Sequence, residues 1–133
     1  MRIKGRTVSK GVAKGEVMVS KEPITFLGGV DPKTGIVVEG GHELEGKSVV
    51  GKILVFPKGK GSTVGSYVIY QMKKNGTAPA GIINTKAEQI VASGAIISEI
   101  PMIHDLDIDV LEFFNEGEPL VLNGDGGYVE VSR

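Results

Sequence analysis

The 133-residue sequence contains no cysteine and no tryptophan. Without thiols the chain itself makes no disulfide, no thiolate nucleophile and no cysteine-ligated cluster. Any such cluster taking part in its chemistry would have to be ligated by a partner. Aromatic residues amount to only 5% of the chain, which leaves the core to Val, Ile, Leu and Ala, a β-branched bias that favours sheet. Net charge is nearly absent as well: 15 basic residues against 16 acidic give −1, no electrostatic footprint for nucleic acid or an anionic membrane. A bound anion must therefore be held locally. No apolar run approaches the roughly 18 residues read as a membrane span, and the start MRIKGRTVSKG lacks the apolar stretch of a signal peptide. A soluble cytoplasmic protein is the expectation.

What is abundant is glycine. Twenty glycines are about twice the ordinary share of roughly 7%, scattered at turns rather than repeated. The length fits one domain, residues 1–133, able to bury about two-thirds of its unfolded surface in a single core.

Alternation predicts short strands at Arg2–Val8 and Gly15–Ser20; in Leu27–Gly41, turns flank a strand at Gly35–Val38 with an exposed loop before it. Ile53–Phe56 is a continuous apolar run ended by Pro57, the pattern of a strand buried on both faces. A helix follows, with Ser62 as N-cap, Val64, Val68 and Met72 on one face, Lys73 and Lys74 near its negative end, and Asn75-Gly76 as the stop. Ala80–Ile83 predicts a second buried strand. Thr85-Lys86-Ala87-Glu88 has the capping-box pattern of a short helix that Gly94 ends, and Ala95–Ile97 then predicts a third strand. This order places parallel pairing mid-chain. Asp107–Asn115 is expected to hold a helical turn, before strands at Leu120–Leu122 and Tyr128–Val131. The fold class is α/β, strand-rich, with a glycine-rich loop opening a helix.

That loop, GKGSTVGS from Gly59 to Ser66, is the candidate site. Glycines let the backbone approach a ligand, and the first free N–H groups of a helix suit an anion or a developing oxyanion. Lys58 and Lys60 add positive charge. The plainer alternative is that Ser62 only caps a helix and the glycines only make its entry turn. A Walker A loop is excluded because Gly61 stands between Lys60 and Ser62. Ser66 lies one turn after Ser62, placing two hydroxyls on one face, or else it merely permits close packing. His42 and His104 have no second histidine at ligand spacing, so no metal site is read. Asp105 and Asp107 beside His104 are read as solvated loop charges.

The stretch FPKGKGSTVGSYVIYQMKKNGTAPAGIIN, Phe56 to Asn84, resembles the swivel domain, or small subunit, of the aconitase X family. AEQIVASGAIISEIPMI, Ala87 to Ile103, continues the likeness, which extends loosely over nearly the whole chain. The resemblance implies a swivelling β/β/α domain closing over a larger, cysteine-containing chain that carries an iron–sulfur cluster of the 4Fe–4S type and most substrate contacts. It assigns Ser62 the role of general base, removing a proton beside the carbon that loses hydroxide, with the cluster iron as Lewis acid. Lys60, Gly61, Thr63 and Ser66 become the substrate-binding candidates; no metal ligand falls in this chain. With no large domain fused after Arg133, the implied reaction is dehydration of the phosphorylated hydroxy acid 5-phosphomevalonate to the anhydro phosphate in an archaeal mevalonate route. Fused relatives act on other hydroxy acids. Two other readings remain: a phosphotransfer swivelling domain, which needs a histidine where Ser62 and Thr63 stand, and a non-catalytic scaffold.

Overall fold

The computed structural model describes every residue from Met1 to Arg133. Ten strands and three helices follow in the order β1 (Arg2–Lys4), β2 (Arg6–Ser9), β3 (Val12–Val19), β4 (Ile24–Thr25), β5 (Ile53–Phe56), β6 (Gly59–Lys60), α1 (Gly65–Asn75), β7 (Gly81–Asn84), α2 (Gln89–Ser98), β8 (Met102–His104), α3 (Val110–Phe113), β9 (Pro119–Asn123) and β10 (Tyr128–Val131). Eight strands form one sheet in the order β1-β10-β9-β3-β5-β7-β8-β2, and β4 pairs with β6 beside it. The central run β3-β5-β7-β8 is parallel. The expected mixed α/β architecture is therefore present.

β1 and β2 lie at opposite ends of that strand order, yet only Gly5 separates them in sequence, so the sheet wraps round and closes on itself. Gly5 donates its N–H to Gly127 O at 2.8 Å, and a Cβ there would stand 2.8 Å from the His104 carbonyl. The expected single strand Arg2–Val8 is broken at this point for that reason.

Alternation along the strands sorts the core into two layers. Val17, Ile53, Val55, Ile83, Ile103 and Leu122 point to the inner side, where Val110 and Phe114 of the α3 region join them. Met18, Leu54, Phe56, Ile82 and Met102 point outward and are covered by Val68, Ile69 and Met72 of α1 and Val91 and Ala95 of α2. Fully burying such a side chain stabilises by about 1.5–3 kcal/mol, so both faces of the central strands hold the sheet in register.

Four expectations fail here. Gly35–Val38 forms no strand; only isolated bridges Val30–Val37 and Ile36–Ser48 occur. The loop before it is not simply exposed either, since Val30 is buried, and Val37, Leu44 and Val49 after it also pack separately into the outer core. Gly94 does not end a helix and Ala95–Ile97 is not a strand: both lie inside α2, which stops at the left-handed Glu99. Gly94 is where the two helices touch, its Cβ position lying 2.7 Å from Ile69 Cδ1. The third parallel strand is β8, a few residues later. As expected, α1 ends at Gly76 in the left-handed conformation, with Lys73 and Lys74 in its last turn.

Candidate functional site around Ser62

The loop leaves the C-terminal end of β5, the end of parallel strands where α/β proteins place their ligands. Pro57 stops the strand, Gly59 and Lys60 then pair with Ile24 and Thr25, and Gly61 turns the chain with φ of +88°. That conformation suits glycine, and a Cβ there would also meet Thr25 Cγ2 at 2.8 Å. Gly65 is pressed between Ile90 and Phe26. The loop's shape is thus fixed by what its glycines allow β4 and α2 to approach.

Ser62 is not the N-cap. A tight turn, Gly65 N–H to Ser62 O at 2.9 Å, intervenes, so that α1 begins at Gly65 with Val64 in the cap position and no side-chain cap. The Ser62 Oγ instead accepts the Val64 N–H at 3.1 Å, a local turn of the kind serine hydroxyls make. Its own proton has no acceptor in the chain. The backbone N–H groups of Ser62 and Thr63 also make no hydrogen bond within the chain, and they sit at the positive end of the α1 dipole. Gly61, Ser62, Thr63 and Val64 are all exposed.

Of the other candidate residues, Lys60 stands beside the loop with its Nζ 3.6 Å from Glu39 Oε2. Ser66 does not share a face with Ser62. It is 9% exposed and its hydroxyl donates to Ile90 O at 2.8 Å, tying α1 to α2. Val64, expected on the buried face, is 47% exposed. With Thr63, Tyr67, Ile90, Ser93 and Ile97 it lines a shallow groove between the helices beside Ser62, with no charged side chain.

The histidines are committed elsewhere. His42 is buried, its Nδ1 accepting the Leu44 N–H at 3.0 Å and its Nε2 facing Pro23 O at 3.0 Å. His104 Nδ1 accepts the Ala87 N–H at 2.9 Å, and its Nε2 lies 3.7 Å from Asp105. Neither heads the helix, as phosphohistidine transfer would require. No group of three His, Asp or Glu side chains is placed to hold a metal, so these residues do not fit an iron–sulfur cluster within this chain.

Before α1 the loop thus presents an exposed serine hydroxyl and two free backbone N–H groups, with no walls around them to exclude water. Residues 2–131 match the family model of the aconitase X swivel domain. The chain belongs to that family. Among aconitase X swivel domains, the Methanosarcina mazei phosphomevalonate dehydratase small subunit is 60% identical over 133 residues, covering 100% of this chain and 92% of the relative. The small subunit of the same name from Thermococcus gammatolerans is 55% identical over 131 residues, 98% of each chain. The crystal structure of Thermococcus kodakaraensis aconitase X in its holo-form has a chain that superposes with a TM-score of 0.94 at 52% identity, covering 100% of this chain and 99% of that one. The solution structure of a UPF0107 protein gives 0.90 at 50% identity over the full length of both. No helix here is long and apolar enough to cross a membrane.

Sequence reasoning missed Glu39, which carried no local signal, and the groove, whose lining residues come from two helices read separately. It also passed over Asn84, although a polar residue closing the run Gly81–Asn84 was visible.

Proposed function

We propose that this chain is the small subunit of a two-chain hydro-lyase that dehydrates (R)-5-phosphomevalonate to trans-anhydromevalonate 5-phosphate. Ser62 is the general base. The observation that carries the reading is an exposed, unburdened Ser62 hydroxyl at a helix head, on a chain 60% identical to a phosphomevalonate dehydratase small subunit.

A serine hydroxyl in water is too weak a base to take a proton from carbon. Ser62 becomes competent only when a second chain covers it and excludes water, with the Val64 N–H that already donates to its Oγ at 3.1 Å stabilising the anion and the free Ser62 and Thr63 N–H groups left open to substrate. The Ser62 oxygen, its hydroxyl proton first released to solvent, then takes the proton from the carbon beside the one that loses hydroxide and is a neutral hydroxyl again. Gly61 and Thr63 offer the substrate backbone contacts, and Lys60, steered by Glu39, offers positive charge. Ser66 holds the helix pair that carries them. The cluster implied by the family belongs on the large, cysteine-containing chain, because this one offers no ligands for it.

Mixing the chain with its large partner and following formation of the unsaturated phosphate tests the reading. The isolated chain is expected to be inactive. Ser62→Ala is expected to lower kcat by about 10²–10⁴-fold, the range for loss of a positioned base, while the chains still co-purify. Normal turnover in Ser62→Ala would sink the assignment.

A further inference from the structure

The Ser62 loop leaves the sheet through three successive carbonyls, the first two taken from the end of β7 and the third from β4. Phe56 O accepts from Asn84 Nδ2 at 3.1 Å. Pro57 O accepts the Lys86 N–H at 3.5 Å, and Lys58 O accepts the Ile24 N–H at 3.2 Å. The second and third donors are backbone groups, which almost any residue supplies. The first depends on one side chain.

Asn84 ends β7 directly opposite Phe56 and is fully buried, in two central strands that otherwise present only apolar residues and glycine to the core. Its Nδ2 also lies 3.3 Å from Ile83 O, while its Oδ1 has no partner. Turning the amide over would set Oδ1 against two carbonyl oxygens, so its orientation follows from its acceptors. An unpaired buried acceptor costs stability, and an apolar residue would have avoided it. The departure from an apolar core at Asn84 falls at the strand exit that leads to Ser62, where such departures are expected.

We propose that Asn84 is a positioning residue, whose side-chain amide fixes the exit of β5 so that the Ser62 loop keeps one orientation towards substrate. The inference rests on Ser62 being the base. Small displacements of a reacting group lower turnover steeply, and precise sites need such supporting contacts.

The test uses Asn84→Val, with Asn84→Ser as the smaller variant should Val fail to fold, each assayed at saturating large chain. The expected result is a loss in kcat of roughly ten- to a hundredfold, with KM and the large-chain concentration for half-maximal activity unchanged. In the isolated variant, amide exchange should rise at Ile24 and Lys86, whose N–H groups are held by the Lys58 and Pro57 carbonyls, while β5 and β7 stay protected. Wild-type kcat, or exchange rising throughout β5 and β7, would overturn the proposal. Ser62→Ala is measured in parallel. If it retains turnover, the base assignment fails and the exchange data still judge Asn84's hold on the loop. If it is inactive while Asn84→Val turns over normally, only the positioning role is lost.

Discussion

At the scale of single residues, local hydrogen bonds decide which side chains are free to act. Ser62 gives its oxygen to a neighbouring N–H and keeps its proton unclaimed, whereas Ser66 spends its proton on Ile90. Their sequence spacing is that of two groups on one helix face, but the turn before Gly65 removes Ser62 from the helix, and spacing carries no information about that turn. The loop itself was legible because Gly61 and Gly65 stand where approach is closest. The task proposed for Ser62 was not; it came from likeness to a family. Glu43 is a different case. Partial burial works against its charge, but the Lys21 N–H, the Ser20 hydroxyl and the Glu22 N–H outweigh this and hold its carboxyl below the ordinary glutamate range. Arg133 does the same for Glu118, by a hydrogen bond that prevails over burial. Both groups are charged at neutral pH, so their stabilisation is present above the ordinary glutamate value of about 4.3. It is lost as pH falls through their lower folded values. Glu43→Gln is expected to lower the urea midpoint at neutral pH and to flatten its decline under acid, which unfolding curves from about pH 3 to about pH 7 will show.

At the scale of elements, β5 and β7 were readable because both faces are buried and the apolar run is continuous. The helix that follows β7 was misread at its far end. Gly94 looks like a stop signal and Ala95-Ile96-Ile97 like a strand, since a short apolar run carries no periodicity that separates the two. In the structure Gly94 is a contact: its missing Cβ admits Ile69 and the backbone of Ser66. The segment before β5 was illegible for another reason. Val30, Val37, Leu44 and Val49 reach the core one at a time from turns, so neither a 3.6- nor a 2-residue period exists to find. Gly94→Val should force α1 and α2 apart and destabilise the chain by about 1–3 kcal/mol, as overpacking does. A lower urea midpoint with an unchanged m-value is the expected signature.

At the scale of the whole molecule, the closed sheet is a mount for the Ser62 loop, and the proposed chemistry needs a second chain to cover it. Beside Ser62 the groove between α1 and α2 exposes Tyr67 (69%), Ile97 (53%) and Val64 (47%) with no charged lining. A face of this kind suits the contact that would cover Ser62. Tyr67→Asp is expected to raise the large-chain concentration needed for half-maximal activity at least tenfold, about 1.4 kcal/mol of affinity, with kcat recovered at saturation; titration of the assembly measures both. The closure was not legible because it depends on β1 finding β10 across the full length of the chain. Gly5→Val, placing a side chain against the His104 carbonyl, should reopen that seam and lower the melting temperature while leaving the Ser62 loop intact. The same seam sets how the molecule answers mechanical load. Arg2 faces Glu130 and Lys4 faces Tyr128, so tension between the two termini pulls β1 and β10 apart from one end. The rungs are loaded singly, as in a zipper, rather than together in shear. Stretched from its ends, the protein would begin to open at the pairs nearest Met1 and Arg133, with the parallel strands beneath the Ser62 loop still intact.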